Sequence, residues 1–341
     1  MMDFKKYTVE SNSRTKKSGA RVTIALFLMV FIVSGGGVVA LKSISPSNVQ
    51  AEPILVGLAK QNDLYKTTQL TAFDTDKDFT FVKKHDLSDM PETVAKSSFL
   101  VNINTGEVLY ASNEEEVVPI ASLAKIMTAI IAIEHRNLND TITISKKASS
   151  IGENSMNISE GEAYTLEELL YGLFLHSGND AAYAIAEGVA VDNVTFVLWM
   201  NLKAKELGLT NTVFTDPSGL DDKAHSNAYD LAKLTSYALK HKDLRKIAGT
   251  VEHEIASNEN HKYIPMYNQT NLLTTYPGVK GFKTGYTEEA GLCLVTYAQN
   301  DNVELVGIVL NSIDRKGDMV NMLDYGFAKY NIFLDHPYKP H

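Results

Sequence analysis

The sequence predicts an α+β fold in which an antiparallel sheet, drawn from the N- and C-terminal parts of one domain, has a helical subdomain inserted between its halves. Three observations lead there. Apolar residues recur at helical spacing through the middle of the chain, while both ends of the domain read as short apolar runs of strand length. Turn residues join such runs into a hairpin at each end. No segment repeats at a fixed period, which removes solenoids and propellers.

The elements follow in order. "SSFLVNINTGEVLYASN" is a hairpin, with "NTG" as its turn and Gly106 giving the permissive backbone. "ASLAKIMTAIIAIEH", residues 121–135, reads as a helix with almost nothing polar on any side, hence a buried one. "TITIS" is a short strand. Thr165 to Glu168 has the spacing of a capping box and starts a helix through "LLYGLFLH". That helix halts at Ser177-Gly178-Asn179, and "DAAYAIAEGVA" resumes it. "VTFVLWMNLKAKELG" is an amphipathic helix capped by Gly208, and "YDLAKLTSYALKH" is another helix. Beyond about residue 250 the period becomes that of strands: "TVEHEIA", "GFKTGYT", "GLCLVTYAQ" and "VELVGIVLNS", the last two joined through "NDN". A closing helix spans 316–330. Strands at both ends with helices between them imply a sheet assembled from distant parts of the chain.

Composition excludes several functions. A net charge of −9, with no basic stripe beyond the N-terminus, argues against a nucleic-acid partner. The single cysteine, Cys293, forbids an intramolecular disulfide and reads as a small buried hydrophobe. Nine histidines are scattered without metal-ligand spacing, so no metal is expected. At the N-terminus, Lys5, Lys6, Arg14, Lys16, Lys17 and Arg21 precede an uncharged apolar run at 22–41. About 20 apolar residues match a bilayer, and cations before them hold that end in the cytoplasm. The expected organisation is a cytoplasmic tail (1–21), an uncleaved signal anchor (22–41), a polar tether (44–91), an exported domain (92–332) and a tail (333–341). Cleavage after Ala51 is the alternative, and it would release the domain.

Ser122 and Lys125 are three residues apart, on one face of the expected helix. A serine hydroxyl is a poor nucleophile until a base takes its proton. Lysine becomes that base only when its pKa is brought down from about 10.4, through burial or a second cation. The apolar helix supplies the burial, and a second cation is sought elsewhere. Ser-x-x-Lys alone is weak evidence, because Ser13-Arg14-Thr15-Lys16 also fits. Two further segments strengthen it. Ser177-Gly178-Asn179 falls at a helix break, where Ser155-Met156-Asn157 is a rival match. Lys283-Thr284-Gly285 occurs once, in a strand whose glycine allows another chain to come close.

The trio Ser-x-x-Lys, Ser-x-Asn and Lys-Thr-Gly is that of penicillin-binding proteins and class A β-lactamases. "PIASLAKIMTA", "EELLYGLFLHSGNDAAYAIAE", "MNLKAKELGLTNTVFTDPSGLD", "AYDLAKL" and "VKGFKTGYTEEAG" extend the likeness to residues 92–332. The sequence resembles the D-alanyl-D-alanine carboxypeptidases, low-molecular-mass penicillin-binding proteins of serine peptidase family S11. The resemblance implies a β-lactamase/transpeptidase-like fold and a membrane-tethered enzyme that trims peptidoglycan pentapeptide stems without a cofactor. It also implies β-lactam antibiotics as covalent inhibitors.

Carried onto this chain, the resemblance makes Ser122 the nucleophile and Lys125 its base. Ser177 relays a proton to the leaving amine, and Asn179 orients Lys125 and the substrate amide. Lys283 is the second cation and, with Thr284 beside Gly285, holds the substrate carboxylate. The backbone amides of Ser122 and Tyr286 form the oxyanion hole. Many members of the family have histidine at the position of Tyr286, and an arginine near that of Arg315 assists carboxylate binding. Many also append a β domain and a C-terminal amphipathic anchor, for which the chain length leaves no room, and the N-terminal span is expected to replace that anchor. Alternatives are a D,D-endopeptidase with the same residues, a β-lactamase using Asp216 or Asp221 as its second base, and a catalytically inactive wall-binding domain.

Overall fold

The computed structural model describes residues 80–338, apart from positions 85, 86, 88, 191 and 271. The expected cytoplasmic tail, signal anchor, most of the tether and the last three residues lie outside that range. Among the described residues no single helix is long and apolar enough to cross a membrane.

The apolar runs flanking Gly106 form β1 (Ser97–Asn102) and β2 (Glu107–Ser112), an antiparallel pair. The helical part then comprises α1 (Lys125–His135), α2 (Leu166–Leu175), α3 (Asn179–Val189), α4 (Asn193–Glu206), α5 (Ala228–Ala238) and α6 (Lys242–Ala248). The chain returns to the sheet as β3 (Val279–Thr287), β4 (Gly291–Asn300) and β5 (Val303–Ser312), and closes with α7 (Arg315–Ala328). Strand order is β2-β1-β5-β4-β3, every neighbouring pair being antiparallel. The last strand to be added at one side is therefore β3, which carries Lys283-Thr284-Gly285.

Both faces of this sheet are covered, and β1 shows why its apolar run is continuous. Successive side chains point to opposite faces. Phe99 and Val101 join the core shared with α1 and α5, whereas Leu100 packs with Met319, Leu323 and Phe327 of α7. α1 is buried along nearly its whole length, from Lys125 to Ala132. The capping box at the start of α2 is present: Thr165 Oγ1 accepts from Glu168 N at 3.2 Å, and Glu168 Oε2 accepts from Thr165 N at 2.8 Å.

Four boundaries differ from expectation. Residues 121–124 form a 3-10 turn, and the α-helix begins only at Lys125. "TVEHEIA" does not join the main sheet: Glu252–Ile255 pairs with Ile264–Tyr267 as a separate two-stranded ribbon. The domain starts before residue 92. The Phe81 ring lies 5.8 Å from Phe99 and 5.4 Å from Tyr229, and Val82 exchanges backbone hydrogen bonds with Gly106 and Val108. The tail is also attached, because His336 Nε2 lies 3.0 Å from the Asp324 carboxylate, which accepts from Tyr276 Oη at 2.7 Å.

Candidate active site

The turn that bears Ser122 is held in an unusual backbone conformation. Ala121 has φ +47°, a left-handed setting that costs an alanine roughly 1–2 kcal/mol. Gly219 fits directly against it: a β-carbon there would lie 1.9 Å from Ala121 O. On the other side, a β-carbon on Gly285 would lie 3.0 Å from Ile120 O and 3.3 Å from Ser122 N. Strand β3 thus runs hard against the turn, bringing Gly285 and the following Tyr286 beside the Ser122 amide. Within the 3-10 turn, side chains three apart eclipse one another. Ser122 is half-buried and Lys125 fully buried, with Nζ 2.8 Å from Ser122 Oγ.

Lys125 Nζ has two more contacts, Asn179 Oδ1 at 2.7 Å and Ser218 O at 2.7 Å. Both are acceptors only. A neutral amine has two N–H donors and one lone pair. Its donors satisfy Asn179 and Ser218, which leaves the lone pair facing the Ser122 hydroxyl. Burial brings the Lys125 amine down to about 7, against the pull of Asp216, Asp180 and Glu153, which favour its charge. Burial is the largest cause, and the two amines repel one another: burial, Lys125 and Arg315 together hold Lys283 well below the usual lysine range.

Ser177 stands between α2 and α3 with φ +54° and is buried. Its Oγ accepts from Lys283 Nζ at 2.8 Å, and that amine also donates to Thr284 O at 3.0 Å. Asn179 opens α3, and its Nδ2 donates to Gly152 O at 3.0 Å, leaving one amide hydrogen for another acceptor. The rival Ser155-Met156-Asn157 does something else. Ser155 Oγ and Met156 N bond the buried carboxylate of Asp180, so this loop is tied to α3 next to Asn179. Tyr286 is 59% exposed and directly follows Gly285, the residue that packs against the turn.

Sequence reasoning missed the "DPSGLD" loop as a support for Lys125. The Asp216 carboxylate accepts from Ser218 N at 2.6 Å, Ser218 Oγ at 2.5 Å, Gly219 N at 2.8 Å and Asp221 N at 2.8 Å. This cage aims Ser218 O at the lysine, and it occupies the carboxylate that was a candidate second base. The Pro217 carbonyl accepts from Thr128 Oγ1 at 2.6 Å, which fixes the loop to α1. Arg315, whose register was open, opens α7. Its Nη1 donates to Gly285 O at 2.8 Å and Cys293 O at 3.2 Å, and it borders a cavity of about 210 Å³ that Thr284 also lines. Among the described residues no cluster of three or more metal-ligating side chains occurs.

Comparison with known proteins agrees with this arrangement. The family profile described as D-alanyl-D-alanine carboxypeptidase, peptidase S11, matches residues 84–314. The chain is 38% identical over 245 residues to the D-alanyl-D-alanine carboxypeptidase DacF of Bacillus subtilis, a match covering 69% of this chain and 63% of that protein. It is 31% identical over 253 residues to the D-alanyl-D-alanine endopeptidase of Escherichia coli, covering 73% and 76%. The crystal structure of the Streptomyces K15 DD-transpeptidase superposes with a TM-score of 0.67 at 31% identity, covering 70% of this chain and 99% of that one. Sheet, helical insertion and the meeting of the three motifs thus have a common origin: the chain belongs to the D-alanyl-D-alanine carboxypeptidase family, peptidase S11.

Proposed function

We propose that the chain is a serine-type D-alanyl-D-alanine carboxypeptidase, removing the terminal D-alanine of peptidoglycan stem peptides through an acyl-enzyme on Ser122. The observation that carries this reading is the set of three contacts at Lys125 Nζ, two of which consume its N–H donors and leave its lone pair for the Ser122 hydroxyl.

The Ser122 proton passes to Lys125 as Oγ bonds to the carbonyl carbon between the two D-alanines. The resulting oxyanion accepts from the backbone amides of Ser122 and Tyr286. The C–N bond then breaks, and the proton that Lys125 received passes to the leaving amine through the Ser177 hydroxyl, which leaves Lys125 neutral again. The departing carboxylate lies against Lys283 and Thr284, and a bound carboxylate restores the charge that burial discourages at Lys283. Water attacks the ester, giving its proton to Lys125; the bond from the acyl carbon to Ser122 Oγ breaks as Lys125 returns that proton to Oγ, and the tetrapeptide stem leaves. β-Lactams acylate the same oxygen and block it.

The apolar run at 22–41 tethers the domain to the outer face of the cell membrane, with 1–21 in the cytoplasm. A cross-link endopeptidase is the second reading, favoured by the likeness to the Escherichia coli enzyme. Incubating the protein with a pentapeptide stem and with a cross-linked dimer separates the two. Free D-alanine from the pentapeptide is expected, and cleavage of the dimer alone would establish the endopeptidase. Ser122→Ala is expected to abolish both D-alanine release and covalent uptake of a labelled penicillin.

A further inference from the structure

The chain is acidic overall, yet one groove reverses that sign. It has a volume of about 710 Å³, lies between α6 and the starts of β3 and the α5–α6 turn, and is lined by Lys240, Lys242, Arg245, Lys246 and Lys280 with no acidic residue. All five cations are exposed. Three acids stand near them: Glu304 lies 3.9 Å from Arg245, Glu167 lies 3.4 Å from Lys246, and Asp243 is exposed on α6. Lys240 has a partner of its own as well, so contacts around the groove offset part of its charge, while the lining itself carries five cations and no acid.

Its position in the sheet is the second observation. Gln299 N donates to Gly278 O, Gln299 pairs with Glu304, Ile103 N donates to Glu304 O, and Val82 bridges to Glu107. These contacts form one row across the sheet at a single end. The groove flanks β3 at one side of the row, and the chain joins the domain beside β2 at the other. Five strand spacings separate Gly278 from Val82, roughly 24 Å. A plane lying against that end would meet both, while Tyr286, seven residues along β3, would stand roughly 20 Å from it.

We infer that this basic groove docks on anionic phospholipid headgroups, holding the sheet end that receives the tether against the membrane and presenting the cleft away from it. The inference rests on the reading of residues 22–41 as a retained anchor. Each cation near an anionic bilayer adds about five-fold to affinity, an effect confined to about a Debye length of the surface.

The test uses the full chain in vesicles of phosphatidylcholine alone or with phosphatidylglycerol, each carrying a quenching headgroup. A fluorophore on Asn302→Cys, an exposed turn position at that end of the sheet, reports contact, because Cys293 is buried. Quenching is expected to at least double with the anionic lipid, to vanish in 0.5 M salt (about a 4 Å Debye length), and to fall several-fold in Lys242→Gln/Lys246→Gln/Lys280→Gln. Penicillin uptake by the triple variant checks that it folds, and the salt arm needs no variant. Equal quenching in both lipids overturns the inference, as does a response to soluble poly(glycerol phosphate) with none to the bilayer. Extraction with alkaline carbonate reads the anchor separately. If it releases the chain, the anchor reading fails, and flotation of the released chain with anionic vesicles still decides whether the groove binds them.

Discussion

Gly219 lies so close to Ala121 that a β-carbon on it would overlap the Ala121 carbonyl, at 1.9 Å from the oxygen and 2.5 Å from the carbon. Only glycine leaves room at position 219 for the turn before Ser122 to keep its left-handed setting. Gly219→Ala is therefore expected to displace Ser122 and to slow acylation by 10²-fold or more, since misplacement of about 1 Å costs that much. Thermal melting and the rate of penicillin uptake, measured side by side, check it; wild-type uptake would show that this contact does not position the serine.

The pH dependence of acylation should report the amine of Lys125. Its proton-accepting form predominates above about 7. Uptake of labelled penicillin is expected to rise about ten-fold per pH unit below that value and to level off above it. The amine is depressed on folding, so the native state binds fewer protons than the unfolded chain between about 7 and 10, and its contribution to stability rises with pH over that window. A rate independent of pH from 5 to 8 would remove Lys125 as the base.

Asp216 should separate position from charge. Replacing it with asparagine weakens the cage around Ser218, which lowers the plateau rate. It also removes a negative charge that favours protonated Lys125, so the rising limb should move to lower pH. A plateau loss of ten-fold or more with a limb shifted down is the expected pair of results. An unchanged limb would confine Asp216 to holding the loop.

A buried ion pair behind α1 offers a test of stability independent of the cleft. Lys203 Nζ lies 2.8 Å from Glu134 Oε2, both side chains being essentially inaccessible. Lys203→Met leaves a buried carboxylate short of its cation and should cost about 3–5 kcal/mol. Adding Glu134→Gln should recover much of that loss, because the stranded charge is then gone. Denaturant unfolding of the three variants gives the comparison.

How much of this was readable beforehand varied with the kind of atom involved. The three motifs are side chains at short fixed spacings, so Ser122, Lys125, Ser177, Asn179 and Lys283 could be singled out from the letters. The capping box at Thr165 and the two hairpins were legible for the same reason. The 3-10 turn was not, because alanine is among the last residues one would assign to positive φ, and the turn packs against Gly219 from nearly a hundred residues away. Ser218 acts through its carbonyl, an atom every residue has. The start of the domain was placed too late because "FTFVKK" is a short run in an otherwise polar stretch, and it takes the contacts of Phe81 with Phe99 and Tyr229 and the backbone bonds of Val82 to attach it. The burial of Lys125, the largest cause of its lowered pKa, was legible in the apolar run that surrounds it.

The groups at the cleft come from residues 122–125, 177–179, 216–219 and 283–286, stretches that meet only when the last strands have closed on the first. Any proteolytic fragment that contains them all must span residues 122–286. A fluorescent penicillin accordingly doubles as an assembly gauge: after refolding, the fraction of chains it marks counts molecules in which all four stretches have met.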